Sequence, residues 1–317
     1  MKKIVTIINP ISGTASKKGI PAMFDQLVPN EEFEKEFFFT EFHGHAYLLA
    51  SEAVEKGADY VIAVGGDGTV NEVAKALVDS QSALGIIPMG SGNGLARDLS
   101  IPLDSRKAID VILEHNIAPI DYCKANENIF FCTCGVGFDA RISQRFAEEK
   151  HRGSWAYLRS VITEYIKFKP EGYEITLDDS ETVRKKAFLV TCANASQYGN
   201  NAYIAPLADM NDGLIDVAVL LPMTSLDIVG MVFQMFTKQL NKNPKVKYFK
   251  AKKLTVKREK AGIVHLDGEP FSMEKSVTIE VFRSGLRVLV PKNPLPQVYD
   301  VPSLFDYLQK RHKKVKL

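Results

Sequence analysis

A chain of 317 residues, 45% hydrophobic and 25% charged, suits one large domain or two ordinary ones, each burying its own core. Its net charge of only +2 excludes the whole-molecule positive field that recruits nucleic acid. No apolar stretch approaches the roughly 20 residues that span a bilayer, so membrane contact is expected to be peripheral.

The predicted elements begin with a strand over residues 4–8, a continuous apolar run of the kind buried on both faces. The lysines before it imitate a leader, but the run is too short for a signal core and Asn9-Pro10 interrupts it. A strand over 36–39, a helix over 45–57 stopped by Gly57, a strand over 60–64, a helix over 70–78, a strand over 84–87 and a helix over 106–114 follow. Strands separated by helices imply right-handed βαβ units and a mostly parallel sheet, with ligands beyond the carboxyl ends of the strands.

After residue 122 the texture changes to short β-type runs between turn residues, which predicts an antiparallel, β-rich sandwich. Two helices interrupt it, one over 155–166 with helically spaced apolar residues and one over 226–236, where Thr224 and Asp227 are placed as a capping box. The expected domains are an α/β unit over 1–122, a β-rich unit over 123–294, and a basic tail over 295–317 that could pack back on the first unit. Cys123, Cys132, Cys134 and Cys192 form no CxxC pair and no zinc spacing, so they read as reduced thiols in a cytoplasmic protein.

Three loops at the expected strand ends carry the chemistry. Gly65-Gly66-Asp67-Gly68-Thr69-Val70-Asn71-Glu72 runs from a buried strand into a helix. Glycines there let backbone amides approach phosphate oxygens, and a helix N-terminus adds positive potential. A tight βα turn accounts for the same glycines. Asp67 would act through Mg²⁺ or by shaping the loop with hydrogen bonds. The next strand feeds a second loop, "PMGSGNG", with Gly90, Ser91 and Asn93; the first strand feeds a third, Asn9-Pro10-Ile11-Ser12-Gly13. Neither a GxxxxGK[ST] motif nor a complete GxGxxG is present, which argues against P-loop and dinucleotide-binding enzymes.

"NPISG", "GGDGTVNEV" and "PMGSGNGLAR", in this order, resemble the diacylglycerol kinase catalytic family, which includes bacterial lipid kinases and sphingosine kinases. "PIDYC", "CGVGFDA", "APLADMNDGLIDV" and "HLDGEPF" extend the resemblance over nearly the whole chain. It implies a phosphofructokinase-like nucleotide domain, a β-rich lipid domain and an active site between them. NAD kinases also carry GGDGT, but their Asn-Glu pair lies well downstream, whereas Asn71-Glu72 follows at once.

The resemblance places ATP on Asn9, Pro10, Ile11, Ser12, Gly13, Thr40, Gly65, Gly66, Asp67, Gly68, Thr69, Val70, Asn71, Glu72, Gly90, Ser91 and Asn93. It makes Asp267 or Glu269 the general base and gives Asp67 and Asp121 a supporting role toward the Mg²⁺ of catalysis. Read from the residues alone, Asp267-Gly268 is a hairpin turn. The resemblance also implies a structural metal on the Asp212 side chain and on backbone carbonyls near Asp209 and Leu214, where the residues alone give a solvated Asn-Asp-Gly turn.

One departure matters: many bacterial relatives have Asn-Asp where this chain has Asn93-Gly94, closer to the sphingosine-kinase form. The implied activity is an ATP- and Mg²⁺-dependent phosphoryl transfer to a lipid hydroxyl presented by a membrane, with diacylglycerol first and a sphingoid base or related lipid alcohol next. An NAD kinase and a non-catalytic lipid-binding regulator are the rivals. A homodimer is left open, and no nucleic-acid partner is expected.

Overall fold

The computed structural model describes residues 1–13, 16–148 and 168–294. Four strands, β1 (Lys2–Ile8), β2 (Phe33–Phe39), β3 (Tyr60–Gly65) and β4 (Ala83–Pro88), pair in parallel in the order β2-β1-β3-β4. Every residue of β3 and β4 is buried, as continuous apolar runs require when helices cover both faces. Helix α1 (Ile20–Leu27) packs with α5 (Ser105–Leu113), and α2 (His45–Glu55) with α3 (Asp67–Leu77). A short α4 (Gly94–Asp98) follows the second glycine loop.

Two boundaries differ from the sequence expectation for physical reasons. Strand β2 starts at Phe33 because an edge strand tolerates Glu34, Lys35 and Glu36, and its pairing begins at Lys2 with Phe33. Helix α3 starts at Asp67 rather than at residue 70: Gly66 is the extended N-cap, so the second half of GGDGT is already the first helical turn.

The parallel sheet does not stop at β4. The 14-residue β16 (Ser276–Leu289) pairs with β4 at Val288 and Leu84 and continues into β13 (Lys253–Arg258), β8 (Glu171–Leu177) and β9 (Glu181–Ala187). Strand β5 (Ile117–Ala125) pairs with β16 across an irregularity between Phe282 and Leu286 and with β6 (Asn128–Phe130). A second, antiparallel sheet runs β12-β11-β10-β7-β14-β15, that is Val246–Ala251, Ile215–Leu220, Leu189–Ala193, Thr133–Gly137, Gly262–Leu266 and Glu269–Met273.

Alternate residues of the two sheets make the sandwich core: Ile215, Val217 and Val219 on one side, Ile175, Val256 and Ile279 on the other. On the outer face of the second sheet, α6 (Phe138–Glu148) and α7 (Ser225–Phe236) bury Phe138, Leu189, Ala218 and Leu220. The predicted capping box at Thr224 and Asp227 starts α7. The predicted helix over 155–166 and the basic tail lie outside the described residues. All four cysteines are free, and burial pushes each thiol above its usual range.

Candidate active site

The three sequence-predicted loops meet at the carboxyl ends of β1, β3 and β4. Nδ2 of Asn9 donates to Oγ1 of Thr69 at 3.0 Å, and Oδ1 of Asn9 accepts from the amide of Ile11 at 3.1 Å. Gly13 has φ +56°, and a Cβ there would lie 2.1 Å from the Met89 carbonyl oxygen, so only glycine lets the Asn9–Gly13 loop touch the second glycine loop. Gly66 and Gly90 also face each other backbone to backbone; a Cβ on Gly90 would come within 2.6 Å of the Gly66 Cα. Thr40 sits at the end of β2, its amide bonded to the Ile8 carbonyl at 2.9 Å. Ser91 is exposed on the rim, and Ile11 is 86% exposed.

Asp67 shapes the loop. Its carboxylate accepts from the amides of Asn93 and Gly94 at 2.9 and 2.6 Å, which opens α4 and fixes the second glycine loop. Asn93, at φ +50°, completes that loop by exchanging bonds with the amide and carbonyl of Gly90, both at 2.9 Å. The first bond inside α3 runs from the amide of Val70 to the carbonyl of Gly66. The amides of Asp67, Gly68 and Thr69 therefore have no partner within the helix, which is the donor array an anionic phosphate needs. Glu72 looks elsewhere: it accepts from the amides of Gly44 and Ala46 at 2.9 and 3.1 Å and anchors the start of α2.

The two carboxylates of "HLDGEPF" differ sharply. Asp267 and Gly268, at φ +48° and +89°, form the β14–β15 hairpin turn, so the hairpin reading of the sequence holds as local structure. The Asp267 carboxylate is also saturated. It accepts from the amides of Phe131, Cys132 and Thr133 at 2.8, 2.7 and 3.0 Å, and from Nδ2 of Asn71 at 2.7 Å. Burial raises its pKa, against the pull of these amides. Asn71 thus latches α3 to the β-rich half. Glu269 is half-exposed, and its carboxylate makes no hydrogen bond or ion pair among the described residues. Its Oε1 lies 3.6 Å from where a Cβ on Gly68 would sit, over the first turn of α3.

Asp121 is buried in β5 and accepts from the amides of Gly213 and Ser284 at 2.8 and 2.7 Å, pinning the 209–214 loop and the irregularity in β16. In that loop, Oδ1 of Asp209 accepts from the Asn211 amide at 3.0 Å and Oδ1 of Asp212 from the Leu214 amide at 2.9 Å. Oδ2 of Asp212 takes Nζ of Lys250 at 2.9 Å, and the same ammonium lies 3.1 Å from Oδ2 of buried Asp216. The Lys250 pKa is drawn down by burial but raised overall by these two carboxylates. An ammonium therefore sits between these two carboxylates.

Several residues that matter gave no local signal. Asp139, in "CGVGFDA", accepts on Oδ2 from Oγ1 of Thr191 at 2.7 Å and lies 3.1 Å from Nε2 of His265, whose 2% exposure puts the pair in the interior. A Cβ on Gly135 would fall 2.1 Å from that same oxygen, which ties the glycine of one motif to the histidine of another. Asn194 donates to the carbonyls of Asp121 and Phe131. Lys17, 3% exposed, donates to the Ser12 carbonyl of the Asn9–Gly13 loop. Asp98 accepts from the Ser196 amide and hydroxyl, so it does not stand in for a carboxylate at position 94. A Cβ on Gly94 would instead meet the Tyr198 carbonyl at 3.4 Å.

Comparison with known proteins agrees with this arrangement. The diacylglycerol kinase catalytic domain matches residues 3–125, and the YegS C-terminal NAD kinase beta sandwich-like domain matches 132–290. A diacylglycerol kinase of Staphylococcus saprophyticus is 30% identical over 84% of this chain and 89% of its own length. A crystal structure of a candidate diacylglycerol kinase from Bacillus anthracis str. Sterne superposes with a TM-score of 0.77 at 24% identity, covering 93% and 98% of the two chains. An NAD kinase from Archaeoglobus fulgidus, solved with ATP, shares the fold at 13% identity and a TM-score of 0.53, over 98% and 99% of the two chains. With both halves matched in order and the glycine loops meeting as described, the chain belongs to the diacylglycerol kinase and YegS-like lipid kinase family.

Proposed function

We propose that the protein transfers the γ-phosphoryl group of ATP to a hydroxyl of a membrane lipid, with diacylglycerol as the first acceptor and phosphatidic acid as the product. The observation that carries the reading is the unpartnered Glu269 carboxylate facing the first turn of α3, where free amides and three glycine loops can hold a triphosphate. Mg²⁺ enters as part of the MgATP substrate and offsets charge on the phosphate oxygens. Glu269 accepts the hydroxyl proton as the lipid oxygen bonds to the γ-phosphorus and the bond to the β-phosphate oxygen breaks, releasing ADP. Asp267 is the positioning residue: it fixes the hairpin that aims Glu269 and, through Asn71, locks that hairpin to α3.

Radiolabelled ATP incubated with a lipid panel tests the reading. Label in phosphatidic acid supports it, and label only in a sphingoid-base phosphate moves the acceptor to the second choice. Label in NADP from an NAD arm, or in no product at all, overturns it.

A further inference from the structure

Helix α7 presents an apolar ridge to solvent. Val229, Phe233 and Phe236, spaced four and three residues apart on one face, are 72%, 56% and 37% exposed. The opposite face, with Met231 and Met235, packs on the outer side of the second sheet. Bulky side chains exposed in a row on a helix that already has a buried face mark a docking surface.

The charge beside the ridge says what docks. From residue 228 to residue 258 the chain contains eight lysines and one arginine and no aspartate or glutamate, in a protein of net charge +2. Lys250, Lys253 and Lys257 are paired with carboxylates elsewhere. Lys242 and Lys245 are exposed and form no ion pair among the described residues. They are held next to the ridge, because Nδ2 of Asn243 donates to Oε1 of Gln234 at 2.7 Å and the Gln239 amide donates to the Gln234 carbonyl at 2.8 Å. A second copy docked face to face would set these lysines against their own equivalents, which like charge opposes. An anionic bilayer offers hydrocarbon to the ridge and phosphate to the lysines.

The ridge is also tied to the candidate site. The Tyr203 amide bonds to the Met235 carbonyl at 3.0 Å, and in the same 198–203 segment the Asn200 amide bonds to the Gly92 carbonyl at 3.1 Å. The C-terminal end of α7 is thus tied, through one short strap, to the second glycine loop.

We propose that the outer face of α7 and the lysines at 242 and 245 dock the protein on an anionic phospholipid surface with the candidate active site at its edge. Its importance for turnover rests on the lipid-acceptor reading above. The test is co-sedimentation of the full chain with phosphatidylglycerol-containing and pure phosphatidylcholine vesicles. Wild type is expected to bind the anionic vesicles at least about tenfold more strongly, with the difference collapsing in high salt. V229E/F233E and K242E/K245E should each lose about tenfold or more of that binding. All these positions are exposed, so both variants should melt like wild type and keep their activity on a water-dispersed short-chain diacylglycerol. Unchanged vesicle binding in both variants overturns the proposal, as does equal wild-type binding to neutral vesicles. A wild-type dimer that V229E/F233E converts to monomer, with vesicle binding intact, overturns it in favour of a second copy. Anionic binding lost in both variants while wild type phosphorylates no lipid upholds the docking surface and removes the kinase reading alone.

Discussion

The two halves that meet at the candidate site are built on opposite plans. The α/β side is backbone against backbone: Gly13 on Met89, Gly66 on Gly90, with one aspartate, Asp67, closing the gap. The β-rich side is carboxylate against distant amide. Asp267 gathers donors some 135 residues back in the chain, at 131–133, and Asp121 ties together segments near 213 and 284. The first plan leaves amides free to bind a ligand. The second uses Asp267 and Asp121 on architecture, while the Glu269 carboxylate beside them makes no hydrogen bond among the described residues. The lesson is that acidic residues in a family motif divide into those that hold and those that act, and hydrogen-bond saturation separates them.

The sharpest way to break this division is to neutralise each carboxylate of the hairpin. Glu269→Gln should lower kcat by about 10²–10⁴-fold with no change in melting temperature, as loss of a general base requires. Asp267→Asn should do the reverse in kind. An amide nitrogen would replace one acceptor oxygen among three backbone donors and Asn71, leaving buried donors unpaired at a cost of about 2–3 kcal/mol. A lower melting temperature with a smaller loss of kcat is the expected readout. If Asp267→Asn melts like wild type and loses all activity, the assignments exchange places.

The same contrast decides what could be read from the amino-acid order. The glycine loops were legible because each lies at the end of a continuous apolar strand, and the signal is contained within about ten residues. Even there, the helical start at Asp67 was hidden, because glycine and aspartate in a first turn look like loop. The role of Glu72 as an anchor for α2 was hidden too, since its partners, Gly44 and Ala46, precede it by 28 and 26 residues. On the β-rich side Asp267-Gly268 read correctly as a hairpin, but nothing nearby announces the amides of residues 131–133. Lys250 gave no sign at all: a lysine in an alternating strand is ordinary until the fold brings Asp212 and Asp216 around it.

That lysine supplies the next, smaller test. Lys250→Ala leaves buried Asp216 beside Asp212 without a counter-charge. Because the ammonium is partly exposed, the expected cost is about 1–2 kcal/mol rather than that of a fully buried pair. The melting temperature of wild type should not respond to EDTA or added Mg²⁺, while that of Lys250→Ala should rise with Mg²⁺, since two carboxylates then face an open position. A wild-type melting temperature that falls in EDTA would return this loop to the divalent ion that the family resemblance implied.

The smallest expected effect concerns Asp98, where the holding carboxylate is itself a burden. Burial raises its pKa despite the bonds from the Ser196 hydroxyl and amide. For an acid whose pKa is higher folded than unfolded, the stabilising contribution is present below the unfolded value and is lost as pH rises through the folded one. Both Ser196 bonds fall on Oδ1, so the carbonyl oxygen of an asparagine can accept them. Asp98→Asn should therefore melt at or above wild type near neutral pH, and the gap should close as pH falls through the raised folded pKa into the ordinary carboxylate range, where both states of the aspartate are neutral. Melting curves taken across that range decide it. A variant less stable than wild type at neutral pH would mean that the charge on Asp98 contributes stability, and that holding carboxylates in this protein are selected for charge as well as for hydrogen bonds.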